Sequence, residues 1–155
     1  MTDDDRVALA LQEDIPNGDI TTGSLNKPNH FGTASLVAKQ DLVVSGSTLF
    51  QKTVHAVDPE IQCSWKFKDG DFVLKGQTVC DFQGNLIELL KAERVALNFL
   101  GPLSGIATLT RKFVETCQGT TTKILDTRKT RPLYRDLEKK AVIHGGGHNL
   151  SLIHI

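Results

Sequence analysis

The run Ile124-Leu125-Asp126-Thr127-Arg128-Lys129-Thr130 ends an apolar strand in a polar, doubly cationic segment. In parallel α/β architectures the loops that follow strand C-termini line the ligand crevice, so cations placed there face whatever binds. Arginine offers a planar fork that matches a carboxylate or phosphate bidentately, and lysine adds a compact positive charge. An anion is the ligand this chemistry implies, and the hydroxyls of Thr127 and Thr130 can donate to it. Arg128 and Lys129 also read as cations of a solvated surface loop, because most such side chains are exposed. Pattern alone leaves both readings open.

Glu93 and Arg94 form a second constellation. Leu86, Leu90, Glu93, Leu97 and Leu100 share one helical stripe, with Ile87, Leu90, Arg94 and Leu97 along its edge, so both charges interrupt an apolar face. Burying a charge is costly unless it is paired or meets a ligand or partner. A salt bridge with a snorkelling arginine fits, and so does an arginine presented across a subunit contact.

Weaker signals follow. Glu13, Asp14 and Asp19 lack the spacing of a calcium loop and read as helix-end and turn caps. Gly145-Gly146-Gly147 reads as a backbone nest for phosphate or as a flexible connection. His144 and His148 flank those glycines with no acid or cysteine beside them, so no metal role is expected.

At 155 residues the chain suffices for one domain, or a small domain with part of another. A complete α/β barrel typically takes about 250 residues. Lys plus Arg and Asp plus Glu are equal at 18 each, so no overall field favours nucleic acid or an acidic membrane. Cys63, Cys80 and Cys117 match neither zinc-ligand nor disulfide spacing and read as reduced, buried thiols. The start, Met1-Thr2-Asp3-Asp4-Asp5, is acidic where a secretory signal is basic and then apolar. No apolar stretch approaches the about 20 residues of a membrane helix, and a soluble, cytoplasmic protein is expected.

The elements that must position these residues are mixed. Val7, Leu9 and Leu11 belong to an N-terminal helix that Pro16, Asn17 and Gly18 terminate. Strands are expected at Phe31 to Val37 and near Leu42 to Val44, then a helix carrying Leu49, Phe50, Val54 and Val57 up to Pro59. From Ile61 to Phe82 the chain alternates, with turns at Lys68-Asp69-Gly70-Asp71 and Lys75-Gly76-Gln77. These segments resemble the β-hairpins of biotinyl and lipoyl carrier domains. After Gly84 a helix is expected to run to Gly101-Pro102, which breaks it. A second helix, N-capped by Ser104, is expected to bury Ile106, Leu109, Phe113, Val114 and Cys117. A strand at Thr122 to Leu125 and a helix at Asp136 to Ile143 would then begin a parallel α/β unit.

Four runs occur in order: Glu13 to Thr22 (EDIPNGDITT), Glu93 to Val114 (ERVALNFLGPLSGIATLTRKFV), Ile124 to Thr130 (ILDTRKT) and Leu137 to Asn149 (LEKKAVIHGGGHN). Together they resemble the quinolinate phosphoribosyltransferases, the carboxylating nicotinate-nucleotide pyrophosphorylases, over nearly everything from Val7 to Asn149. The resemblance implies an α+β and α/β fold class: an N-terminal α/β-hammerhead domain over residues 1–101, then the start of an α/β barrel over 102–155. It implies phosphoribosyl transfer from phosphoribosyl pyrophosphate to quinolinate with decarboxylation, Mg²⁺ accompanying the phosphates, and a homodimer or higher homo-oligomer. By position it makes Thr127, Arg128 and Lys129 substrate-binding, Lys129 catalytic as well, and Arg94 a residue that reaches the neighbouring subunit's active site.

The chain also departs from the pattern. After Asn149 the family continues with His-Arg, whereas here Leu150-Ser151-Leu152-Ile153-His154-Ile155 follows, so a truncated and catalytically incompetent chain is expected. Leu133 stands where many members have glycine. The alternatives are a molybdenum-transport-associated or nicotinate-using relative and, in another class, a non-enzymatic carrier built on the Ile61 to Phe82 segments. The carrier lacks a modifiable lysine in a Met-Lys-Met or Asp-Lys-Ala setting.

Overall fold

The structure, a computed structural model, describes residues 1–15 and 30–150. The segment from Pro16 to Thr22, with the expected turn and Asp19, lies outside the described residues, as does the tail from Ser151. The chain forms two compact units, divided within one helix between Leu100 and Gly101.

The first unit comprises Met1–Val37, Ser47–Lys66 and Thr78–Leu100. Helix α1 (Asp3–Asp14) starts on a capping box in which the Thr2 hydroxyl accepts the Asp5 N–H at 3.1 Å and the Asp5 carboxylate accepts the Thr2 N–H at 2.7 Å. Strands β1 (Phe31–Val37), β5 (Thr78–Asn85) and β3 (Gln62–Trp65) form an antiparallel sheet with β5 central, in register from Phe31↔Asn85 and Gln62↔Gln83. Helix α2 (Ser47–Val57) lays Phe50 edge-on to Trp65, with ring centroids 5.7 Å apart, and stacks it on Phe82 at 5.6 Å. Gly84 permits close strand approach, since a Cβ there would stand 3.0 Å from Ile61 Cα.

The expected succession of hairpins is not what forms. β3 pairs with β5 across an excursion that belongs to the second unit, and there β4 (Phe72–Val73) pairs with β2 (Leu42–Val43). Turn chemistry marked the reversals, but pairing was decided by long-range burial of Val43 and Val73, both fully buried.

The second unit comprises Ala38–Gly46, Phe67–Gln77 and Gly101–Ile155. Its β2 segment hangs on helix hydroxyls. Thr108 Oγ1 accepts the Val43 N–H at 2.8 Å, and Ser104 Oγ accepts the Ser45 N–H at 3.0 Å while donating to the Ser45 carbonyl at 3.1 Å. An i, i+4 spacing puts both side chains on one helix face, where they stand in for a strand neighbour.

Two helices were expected where there is one, α3 (Leu86–Thr116), with Pro102 inside it. Proline removes one helical hydrogen bond, a loss of about 3 kcal/mol, but Phe99, Leu100, Leu103 and Ser104 are buried on either side and hold the helix through it. Gly101 lacks the Cβ that would crowd the proline ring. Ser104 is consequently a mid-helix residue rather than an N-cap.

The buried face of α3 also differs from the expected stripe. It runs through Ala92, Val95, Ala96, Phe99, Leu103, Ala107 and Thr110, whereas Leu90, Leu97, Leu109 and Phe113 are exposed, and Ile106, Val114 and Cys117 are half-buried. Glu93 and Arg94 are exposed, so no buried charge arises there. Small residues let a helix backbone approach its neighbours closely, and of the expected stripe Leu100 alone is buried, with Leu86 half-buried. Of the three thiols, all free, Cys80 is buried while Cys63 and Cys117 are half-buried rather than enclosed.

Candidate functional site

The strand expected at Thr122 to Leu125 is reduced to a parallel bridge between Leu125 and His148, on either side of helix α4 (Arg135–His144). Two backbone bonds make it, Asp126 N–H to the His148 carbonyl and His148 N–H to the Ile124 carbonyl, both 2.9 Å. Strand, helix and parallel return form the unit whose C-terminal loop was expected to carry ligand. That loop is Thr127-Arg128-Lys129, all three exposed, turned by the Lys129 N–H donating to Thr127 Oγ1 at 3.1 Å.

Neighbouring cations divide by occupation. Arg131 Nε bonds Glu138 at 2.6 Å with its guanidinium 4.7 Å from the Tyr134 ring centre, and Arg135 Nε bonds Thr130 Oγ1 at 3.3 Å. Arg128 and Lys129 form no ion pair with another described residue. Two cations are thus committed to the fold and two are open to an anion.

Beneath the loop, the Asp126 side chain is 2 % exposed and fully engaged. Oδ1 accepts the Leu150 N–H at 2.8 Å, and Oδ2 meets the Lys139 ammonium. With the Asn149 amide oriented to face donors to acceptors, its nitrogen reaches Asp126 Oδ2 at 2.7 Å and the Lys139 carbonyl at 3.2 Å. Asp126 went unread as a site residue, although an acid between an apolar strand and a cationic run was a visible signal.

The glycine run is neither nest nor flexible connection. Gly145, Gly146 and Gly147 donate their N–H groups to Ala141, Ile143 and Val142 carbonyls at 2.8 to 3.0 Å, leaving none for phosphate. A Cβ on Gly145 would stand 2.4 Å from the Ala107 carbonyl, and one on Gly147 2.7 Å from Val142. Close packing and the helix end require glycine here. His144 meets Ser45 Oγ through Nδ1 at 2.8 Å.

Arg94 lies in the first unit, 74 % exposed, with Nη1 3.2 Å from Asp14. The ion-pair reading of this residue is therefore seen within one chain. Among the described residues no three His, Cys, Asp or Glu side chains gather to hold a metal ion.

Comparison with known proteins places this geometry. A family model described as the quinolinate phosphoribosyl transferase N-terminal domain matches residues 19–104, more than half of the chain. The chain belongs to this family. The model of the C-terminal domain of quinolinate phosphoribosyl transferase matches residues 106–153. A probable nicotinate-nucleotide pyrophosphorylase (carboxylating) of Bacillus subtilis is 40 % identical over 141 residues, 88 % of this chain and 47 % of that protein. The mitochondrial quinolinate phosphoribosyltransferase (decarboxylating) 2a of Nicotiana tabacum is 40 % identical over 142 residues, 91 % of this chain and 40 % of that protein. The solved nicotinate-nucleotide pyrophosphorylase of Francisella tularensis superposes with a TM-score of 0.91 at 35 % identity, covering 97 % of this chain and 55 % of that one. The chain thus spans about half the length of the relatives it matches. Its mixed α+β and α/β class is that of the solved quinolinate phosphoribosyltransferase relatives, and membership sets aside the carrier-module alternative. No helix among the described residues is long and apolar enough to cross a membrane.

Proposed function

We propose that the protein serves phosphoribosyl transfer from phosphoribosyl pyrophosphate to quinolinate, yielding nicotinate mononucleotide, CO2 and pyrophosphate. The observation that carries this reading is the exposed pair Arg128 and Lys129, open to an anion at the end of the first strand of a parallel α/β unit, in a member of this family. Quinolinate bears two adjacent carboxylates on a pyridine ring. The Arg128 fork and the Lys129 ammonium offset their charge and turn the ring nitrogen toward the sugar. The nitrogen's lone pair forms the bond to ribose C1 as the bond to pyrophosphate breaks, its electrons leaving with the phosphate. Lys129, the proposed catalytic residue, lends positive charge to that departing group, and the Thr127 hydroxyl adds a donor. The ring is then a pyridinium, and the bond from C2 to its carboxylate breaks. CO2 leaves, the electron pair remains beside the ring nitrogen, and a proton from solvent completes the product.

Mg²⁺ accompanying phosphoribosyl pyrophosphate would supply further charge neutralisation, but the described residues gather no metal-binding cluster. The same reading assigns residues 1–101 to an α/β-hammerhead domain and 102–155 to the opening of an α/β barrel, supported by the two family matches and the parallel Leu125–His148 pairing. It assigns Arg94 to the active site of a second copy in a homo-oligomer, supported by its high exposure, and the working compartment to the cytoplasm.

Titration of quinolinate and nicotinate into the 15N-labelled chain tests the assignment. Quinolinate is expected to shift Thr127 to Thr130 amides at concentrations where nicotinate, with one carboxylate, moves them less. No perturbation at these residues, or a preference for nicotinate, would sink it.

A further inference from the structure

The cationic loop is short and solvent-facing, yet two cations can orient a dicarboxylate only if their backbone is fixed. Among the described residues the fixing contact within the loop is one bond, Lys129 N–H to Thr127 Oγ1. The firm structure lies one residue earlier. Asp126 ties by its main chain to His148 and by its carboxylate to Lys139, Asn149 and Leu150, so helix α4, the returning strand and the loop root meet on one side chain.

We infer that Asp126 is a positioning residue for the anion site: its buried carboxylate fixes the backbone from which Thr127, Arg128 and Lys129 project, and Asn149 secures that carboxylate. A carboxylate at this depth is costly to bury and is sustained by three donors, one of them charged. The three come from segments 13 to 24 residues away, so the carboxylate links parts of the chain that the Leu125–His148 bridge joins with only two backbone bonds. The ligand half of this inference rests on the function proposed above, and its mechanical half does not.

Two variants of the full chain separate the outcomes. Asn149→Ala removes one of the Asp126 donors, with a longer bond to the Lys139 carbonyl, from an exposed residue and keeps the Asp126–Lys139 pair, so the fold is retained. Asp126→Asn keeps the shape and removes the charge. Amide hydrogen exchange at Thr127 to Lys129 and at Leu150 is expected to speed up in both, with the amides of β1, β5 and α2 unchanged. Quinolinate affinity is expected to fall about threefold to tenfold in Asn149→Ala, the worth of one hydrogen bond, and more in Asp126→Asn. Melting of Asn149→Ala is expected to stay close to that of the parent, an outcome a purely structural role would not pair with weakened binding. Unchanged exchange at Thr127 to Lys129 in folded Asn149→Ala, or parent-like quinolinate affinity in it, overturns the inference. Exchange that responds while the parent chain binds no quinolinate upholds the clamp and counts against the proposed function instead.

Discussion

Ser104 Oγ both accepts the Ser45 N–H and donates to the Ser45 carbonyl, at 3.0 and 3.1 Å, with both residues at most 5 % exposed. One helix hydroxyl thereby satisfies the two backbone groups that a missing strand partner would otherwise leave bare. Ser104→Ala orphans both in a buried setting, and a loss of about 2 to 4 kcal/mol in urea unfolding is expected. Thr108→Val, which removes the acceptor of the Val43 N–H and a second donor to the Ser104 carbonyl of the same helix, is expected to lose about half as much.

Glycine at 145 is held by sterics and glycine at 105 is not. A Cβ at 145 meets the Ala107 carbonyl at 2.4 Å and the Thr110 side chain at 2.6 Å, whereas one at 105 meets nothing within 4 Å. Gly145→Ala is expected to destabilise by about 3 kcal/mol through overpacking. Gly105→Ala, in the interior of α3, is expected to stabilise by about 0.5 to 1 kcal/mol by lowering unfolded-chain entropy. Equal effects of the two changes would contradict this packing.

Leu133 sits at φ 65°, in the turn closed by the Tyr134 N–H to the Arg131 carbonyl at 3.2 Å, and is 70 % exposed. With Pro132 before it, the third turn position favours glycine. Leu133→Gly relieves the left-handed strain while losing little packing. A rise in stability of about 0.5 to 1 kcal/mol by thermal or urea unfolding is expected.

The four cations between 128 and 135 should separate by function. Arg128→Ala and Lys129→Ala are expected to change stability by no more than about 0.5 kcal/mol, as exposed residues without ion pairs among the described residues. Each is expected to weaken quinolinate binding about tenfold or more by isothermal titration. Arg131→Ala is expected to do the reverse, losing about 0.5 to 1 kcal/mol of stability with the Glu138 pair and the Tyr134 ring contact, and leaving affinity nearly unchanged.

Burial pushes the Cys80 thiol up to about 12 from 9.0, chiefly by desolvation. The folded state therefore keeps its proton where the unfolded chain gives it up. This contribution is fully present below pH 9, and stability is expected to fall as pH rises from 9 toward 12. Cys80→Ala should flatten that part of the profile. At pH 8 the half-buried Cys117 should react with a thiol reagent well before Cys80, which should wait for unfolding.

The sequence alone determined most of the local structure and, through the ordered runs at 93–114 and 124–149, the family. β1, α2, β5 and α4 follow from periodicity and from the punctuation of Pro59, Gly70, Gly76 and Gly145, because these signals act within a few residues. It also marked Arg128 and Lys129 as cations following a strand. What it left open was which of them are committed elsewhere.

Only tertiary structure decided the rest, since each outcome depends on groups far apart in the chain. Pro102 sits inside a continuous helix because residues on both sides of it are buried. β3 finds β5 rather than β4 because β4 is drawn instead to β2, where Val43 and Val73 are both fully buried. Gly145 to Gly147 close-pack and cap a helix because Ala107, Thr110 and Val142 press on them. Asp126, an unremarked acid in a polar run, is buried because Lys139, Asn149 and Leu150 converge on it. No local pattern encodes such convergence, which arises when the strand and its parallel return close around α4.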